Sequence, residues 1–191
     1  MKAGVLALQG DYAAHAKALE VAGAEAFEVR CLSDLSGLDA LVLPGGESTV
    51  MGLLLQRFGM MEPLRERILS GLPVFGTCAG LILLAKEIEG KDQARLGLLD
   101  LRVRRNAYGR QIDSFRTLLS TCVPGAEEIE GVFIRAPCVT AAGRGVEVLA
   151  SHGGFPVLVR QGWIFAATFH PELVPDAPIH RWFLSSIEAG R

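Results

Sequence analysis

Cys78 stands in Gly76-Thr-Cys-Ala-Gly80, with apolar residues on either side, Leu72-Pro-Val-Phe75 before it and Leu81-Ile-Leu-Leu84 after. Pro73 to Phe75 read as a buried strand and Leu81 onward as a helix, so Cys78 falls on the sharp turn between them, a nucleophile elbow. Glycines two residues before and after it leave room for a tight backbone, and the helix that follows aims its N–H groups and positive end at the sulfur. Both features favour thiolate, the form that attacks carbonyl carbon. Far downstream, Phe169-His170-Pro171-Glu172-Leu173 supplies an imidazole and a carboxylate two positions apart. Pro171 biases His170 toward extended backbone, where residues two apart face the same way, so Glu172 can steady the ring. A sulfur, a base and an orienting carboxylate are the parts of nucleophilic acyl transfer.

Each part alone has an ordinary explanation. Free cysteine usually packs as a small hydrophobe. With 22 glycines in 191 residues, chance flanks at least one of the four cysteines in this way with probability ~0.05, so the pentapeptide needs partners elsewhere. A third stretch offers one. Leu43-Pro-Gly-Gly46-Glu47-Ser48-Thr49 pairs two glycines at the end of an apolar strand, a backbone that exposes N–H groups to an oxyanion or carboxylate. It lacks the lysine of a Walker A loop, so phosphate binding of that kind is disfavoured. Arg105, in a polar stretch running to Asp113, and Arg135, just before Ala136-Pro137, could each grip a carboxylate with a planar fork. His15 reads as a surface or capping histidine on the first helix. His152 lies in a Ser-His-Gly-Gly loop and His180 on the last helix, and neither has a carboxylate two residues away.

These groups need a scaffold that gathers loops from distant parts of the chain. Strands are expected over residues 4–8, 26–29, 40–43 and 73–75, alternating with helices over 12–21, 50–58 and from 81, the first with an apolar stripe at Ala13, Ala16, Leu19 and Ala22. That alternation predicts a parallel, doubly wound sheet whose reactive loops share the carboxyl edge, so residues 45–46 and Cys78 should meet. After Gly90 the texture turns to short β-like runs (98–103, 117–122, 131–134, 146–150, 155–160, 163–169), with a hairpin turn at Gln161-Gly162 and a closing helix over 179–187. These extend the sheet with antiparallel strands and add a flap. The expectation is one domain over 1–191, without repeats or a low-complexity linker.

Composition narrows the function classes. Half the residues are hydrophobic and mean hydropathy is +0.32, which suits a sheet covered on both faces. A net charge of −2 and a pI near 6.1 give no reason to expect nucleic acid or an anionic membrane as partner. No run is long enough to cross a bilayer or to serve as a signal peptide, and Cys31, Cys78, Cys122 and Cys138 are too dispersed for a disulfide framework or zinc site. A cytoplasmic protein with reduced thiols is the expectation.

Taken together, the elbow, Pro-Gly-Gly46-Glu-Ser and His170-Pro-Glu172 resemble the class I (triad) glutamine amidotransferases. Leu-Ala-Leu-Gln-Gly at 6–10, Arg-Asn-Ala-Tyr-Gly-Arg-Gln at 105–111 and Phe-Ile-Arg-Ala-Pro at 133–137 narrow the likeness to the glutaminase subunits of pyridoxal 5'-phosphate synthases. Arg116 departs from the acidic residue often found there, which concerns partner contacts more than chemistry. The resemblance implies a flavodoxin-like open sheet, mostly parallel with antiparallel additions and helices on both faces. It also implies hydrolysis of L-glutamine to glutamate and ammonia through a thioester on Cys78. His170 acts as base and acid, and Glu172 orients it. Gly46, Glu47, Ser48, Arg105, Ile134 and Arg135 contact the glutamine, and the N–H groups of Gly46 and Ala79 hold the oxyanion. The ammonia passes to a synthase (lyase) subunit in a large hetero-oligomer; no metal or cofactor is implied. Two other readings remain open at this point: a thiol hydrolase or peptidase on a similar sheet, and an inactive subunit that binds glutamine for regulation.

Overall fold

The computed structural model describes residues 1–90, 92–105 and 114–190. β1 (Lys2–Leu6), α1 (Tyr12–Val21), β2 (Glu25–Val29), β3 (Ala40–Leu43), α2 (Ser48–Arg57), α3 (Met61–Leu69), β4 (Val74–Thr77) and α4 (Ala79–Leu84) make the alternating first half. β5 (Ala85–Ile88), β6 (Leu99–Arg104), β7 (Ser114–Ser120), β8 (Glu128–Ile134), β9 (Cys138–Ala142), β10 (Glu147–His152), β11 (Phe155–Gln161) and β12 (Ile164–Ala167) follow, and α5 (Pro178–Ala189) closes the chain.

The principal sheet runs β10-β11-β12-β4-β3-β1-β2. From β12 to β2 every pairing is parallel, while β10 and β11 join antiparallel at one edge. β3 and β4 are buried at every residue, because side chains leaving either face meet helices. On one face Leu41, Leu43 and Val74 pack with Met51, Leu55, Leu64 and Leu81 from α2, α3 and α4. On the other, Val42, Phe75 and Phe165 pack with Leu19 of α1 and Ile179, Phe183 and Ile187 of α5. The expected architecture therefore forms.

Part of the detail differs from the sequence expectation. The buried positions of α1 are His15, Ala18 and Leu19; of the expected stripe Ala16, Leu19 and Ala22 meet the core, while Ala13 is exposed. α3 was not among the expected helices; its Pro63, at the third helical position, occupies the first turn, where a missing N–H costs nothing. The later strands divide among the principal sheet, the β5-β6-β9 sheet and the β7-β8 hairpin. Residues 106–113 of the polar stretch lie outside the described residues.

Candidate active site

β4 has β12 on one side and β3 on the other, so their carboxyl ends deliver three loops to one place. Cys78 follows β4, the segment carrying His170 follows β12, and the loop Pro44 to Glu47 follows β3. The elbow is strained: Cys78 has φ 46° and ψ −99°, outside the comfortable regions for a residue with a Cβ. Its N–H is tied to the Ala167 carbonyl at 2.9 Å, which locks the turn to the end of β12. The flanking glycines are sterically required. A Cβ on Gly80 would come 2.0 Å from the Leu43 carbonyl oxygen, and one on Gly76 would come 2.7 Å from the Gly80 carbonyl carbon.

His170, Cys78, Gly45, Gly46, Glu47, Ser48, Arg105, Ile134 and Arg135 line one cavity of about 290 Å³, together with Gln9, Asp11 and Ile82. That is close to the lower end of the roughly 300–1,000 Å³ typical of small-molecule sites. Glu172 lies behind His170. Its Oε1 is 2.7 Å from His170 Nδ1, and its side chain is fully buried. The pair meets as expected but from a different backbone, since Pro171–Leu173 form a 3₁₀ turn rather than a continued strand. Burial, the strongest influence on His170, would lower its pKa. Hydrogen bonding with Cys78 and Glu172, together with their charges, outweighs it and carries the group up to about 10. At neutral pH the ring is an imidazolium beside the sulfur.

The glycine loop is fitted around its neighbours. A Cβ on Gly45 would sit 2.5 Å from His170 Cε1, so only glycine lets this backbone approach the ring. The Gly45 carbonyl accepts from Asp11 N–H at 3.2 Å, and Glu47 N–H donates to Gln9 Oε1 at 2.8 Å. Gly46, with φ +149°, borders the cavity between them. Ala79 is buried at the first position of α4 and is not among the lining residues. Ile134 offers its carbonyl to Cys78 Sγ at 4.0 Å, and Arg135 follows at positive φ, 45°.

Arg105 is held within the chain. It donates to Glu47 Oε1 at 2.7 Å and to Thr49 Oγ1 and Gln93 Oε1 at 2.8 Å each. Gln93, which also accepts from Ser48 and Thr49, carried no signal in the sequence. The larger departure is His15. Far from being a surface group, it is fully buried against Thr77, His180 and Glu172.

The SNO glutamine amidotransferase family matches residues 5–189. The chain belongs to that family. A pyridoxal 5'-phosphate synthase subunit PdxT from Pelotomaculum thermopropionicum is 54% identical, with 100% of this chain and 98% of that protein covered. A subunit of the same name from Desulforudis audaxviator is 51% identical over 98% of this chain and 100% of that protein. Among solved structures, a glutamine amidotransferase is 52% identical with a TM-score of 0.92, covering 97% of this chain and 98% of that one. The structure of PurLQS from Thermotoga maritima shares the fold, with a TM-score of 0.74 at 19% identity, covering 99% and 98% of the two chains. The fold is the flavodoxin-like one of the class I amidotransferases.

Proposed function

We propose that this chain is the glutaminase of a pyridoxal 5'-phosphate synthase, hydrolysing L-glutamine to glutamate and ammonia for a synthase subunit. The observation that carries the chemistry is the cavity in which Cys78 meets an imidazolium His170 backed by a buried Glu172. Family membership and PdxT-named relatives matched along the whole chain support the substrate and the destination of the ammonia.

In this reading the Cys78 sulfur attacks the γ-amide carbon, and the negative charge that develops on the amide oxygen is met by the N–H groups of Gly46 and Ala79. His170 passes its proton to the departing nitrogen, ammonia leaves, and a γ-glutamyl thioester remains on Cys78. Water then attacks the thioester carbon while His170 takes a proton from it, glutamate departs, and the sulfur and ring return to their starting charges. Glu172 keeps the ring turned so that the nitrogen facing the sulfur is the one that shuttles. Glu47, Ser48, Arg105, Ile134 and Arg135 take the α-amino and α-carboxylate end of the substrate. Because Glu47 already holds Arg105, a bound glutamine must share or exchange with that pair.

Residues 1–191 act as one glutaminase domain, a reading supported by two cores packed on a single sheet. The partner is the synthase (lyase) subunit of a large hetero-oligomer. Among the described residues no helix is long and apolar enough to cross a membrane, and all four cysteines are free, which supports a reducing, cytoplasmic setting. The test is release of glutamate and ammonia from L-glutamine, measured with and without the purified synthase subunit. Turnover that depends on glutamine and rises with the partner is expected; a folded complex that releases neither product overturns the assignment.

A further inference from the structure

The catalytic carboxylate has two oxygens, and the mechanism above uses one. Oε1 of Glu172 receives His170 Nδ1. Oε2 is fully buried and lacks a well-aligned hydrogen bond among the described residues; the basic group beside it is His15, whose Nε2 lies 3.2 Å away. The same Nε2 is 2.9 Å from Thr77 Oγ1, and His15 Nδ1 is 2.9 Å from Nε2 of His180. Both histidines are 0% exposed. The remaining ring nitrogen, His180 Nδ1, has no hydrogen-bond partner among the described residues.

Counting protons decides how this chain runs. One arrangement has His180 Nε2–H donate to a bare His15 Nδ1. His15 Nε2–H then donates to Thr77 Oγ1 and turns its positive end toward Glu172 Oε2, 3.2 Å away, and the orphaned His180 Nδ1 carries no hydrogen. The reverse arrangement has His15 Nδ1–H donate to His180. It strands an N–H at His180 Nδ1 in a dry interior and turns a bare lone pair of His15 toward a carboxylate oxygen. Each of those is a penalty that the first arrangement avoids.

We propose that His15 is a positioning residue for glutamine hydrolysis. As a neutral Nε2–H donor fixed by Thr77 and His180, it holds Glu172, and through Glu172 the ring of His170. This rests on the glutaminase reading above. An uncharged donor suits the task because it steadies Oε2 without cancelling the charge that Glu172 presents to His170. A cation in its place would compete with His170 for that charge.

The surroundings keep both rings neutral. The titratable groups against His15 are His180 from α5 and Glu172 and His170 from the segment after β12; Lys2 of β1 and Glu25 and Glu28 of β2 are exposed. Burial first, then the repulsion of His180 and His170, pushes His15 well below the usual 6.5, and burial pushes His180 down to about 3. His170, up at about 10, thus carries the charge beside the sulfur while the two rings behind it carry none.

The experiment has two arms. In the first, His15→Phe and His15→Gln are assayed for glutamate release in complex with the synthase subunit. Groups that orient metal-ligating histidines change affinity or activity by roughly 10–100-fold, and by analogy a fall in kcat of about that size is expected for His15→Phe. KM should stay within about twofold, and the alkaline limb of the pH profile should move toward neutrality as Glu172 loosens its hold on His170. His15→Gln, whose amide N–H can occupy the place of Nε2–H, should recover most of kcat. In the second arm, ¹⁵N imidazole shifts of the wild-type chain should report His15 and His180 as neutral, with the proton on Nε2, from pH 6 to 9. This arm needs neither a variant that folds nor an active enzyme. A wild-type complex that leaves glutamine intact would fault the glutaminase assignment rather than the proton arrangement. An active wild type overturns the proposal if His15→Phe keeps its kcat and pH limb, if folded His15→Gln is as slow as His15→Phe, or if His15 proves charged or protonated on Nδ1.

Discussion

His180 offers a sharp test because its buried ring should make the protein acid-sensitive in a measurable window. In the folded chain burial holds it down to about 3, whereas in an unfolded chain it titrates near 6.5. A group whose folded pKa is depressed favours folding above the unfolded pKa, and that contribution is lost as pH falls toward the folded one. The window therefore runs from about 6.5 down to about 3. At pH 4.5, two units into it, the loss from this one ring is roughly 3 kcal/mol, at about 1 kcal/mol or somewhat more per pH unit. That is a large part of the roughly 5–15 kcal/mol of a typical domain. His15 adds a loss of the same sign, while His170, already protonated in both states below 6.5, adds none. The assay is urea unfolding of wild type and His180→Gln at pH 7.5 and 4.5. Glutamine removes the titration but keeps a donor, and any change in packing against Phe75 is independent of pH and cancels in the comparison. The wild type should lose about 2–3 kcal/mol more than the variant between the two pH values. Equal losses would mean that His180 is not a neutral buried ring, and the proton arrangement around His15 would fall with it.

Other outcomes follow from the same geometry. Gly80→Ala should lower stability by about 1–3 kcal/mol or more, read by urea unfolding, because its Cβ would sit 2.0 Å from a backbone oxygen of β3. Gly45→Ala should act on turnover instead: displacing the His170 ring by a fraction of an ångström to an ångström is expected to cut kcat by up to about 10²-fold. Glu172→Gln removes the negative charge that helps raise His170 and leaves at most a neutral acceptor, so the alkaline limb of glutamate release should shift toward neutral pH. Arg105→Lys forfeits a fork that reaches Glu47, Thr49 and Gln93 together, and glutamine KM should rise by about tenfold, consistent with a charge-assisted contact worth roughly 1.5 kcal/mol.

The sequence was most readable where chemistry is local. Gly-Thr-Cys78-Ala-Gly, the paired glycines at 45–46 and His170-Pro-Glu172 each carry their meaning within a few residues, and alternating strands and helices give their meeting place. The network behind the triad was illegible for the opposite reason. His15, Thr77 and His180 come from α1, β4 and α5, and no spacing links residues whose contact is made by the sheet. A weaker signal did exist. His15 with Ala18 and Leu19, and His180 with Phe183, Leu184 and Ile187, fall at helical spacings of three, four and seven, which places each histidine on a buried stripe. His15 lies between Leu19 and Ala22 on the wheel of α1, so reading it as a surface or capping group set aside the position its own helix assigned. The Pro171 turn shows a second limit: proline was read as holding an extended stretch through Glu172, and a 3₁₀ turn brings His170 and Glu172 together instead.

The most direct measurement is acid-quenched mass spectrometry of the chain with its synthase subunit during turnover of L-glutamine, comparing wild type with Cys78→Ala. A γ-glutamyl adduct on the Cys78 peptide is expected in the wild type. The variant should lack it and release ammonia at least ~10⁴-fold more slowly while remaining folded. An adduct on another residue, or a folded variant that still releases ammonia at the wild-type rate, would contradict a cysteine-centred hydrolysis at this site.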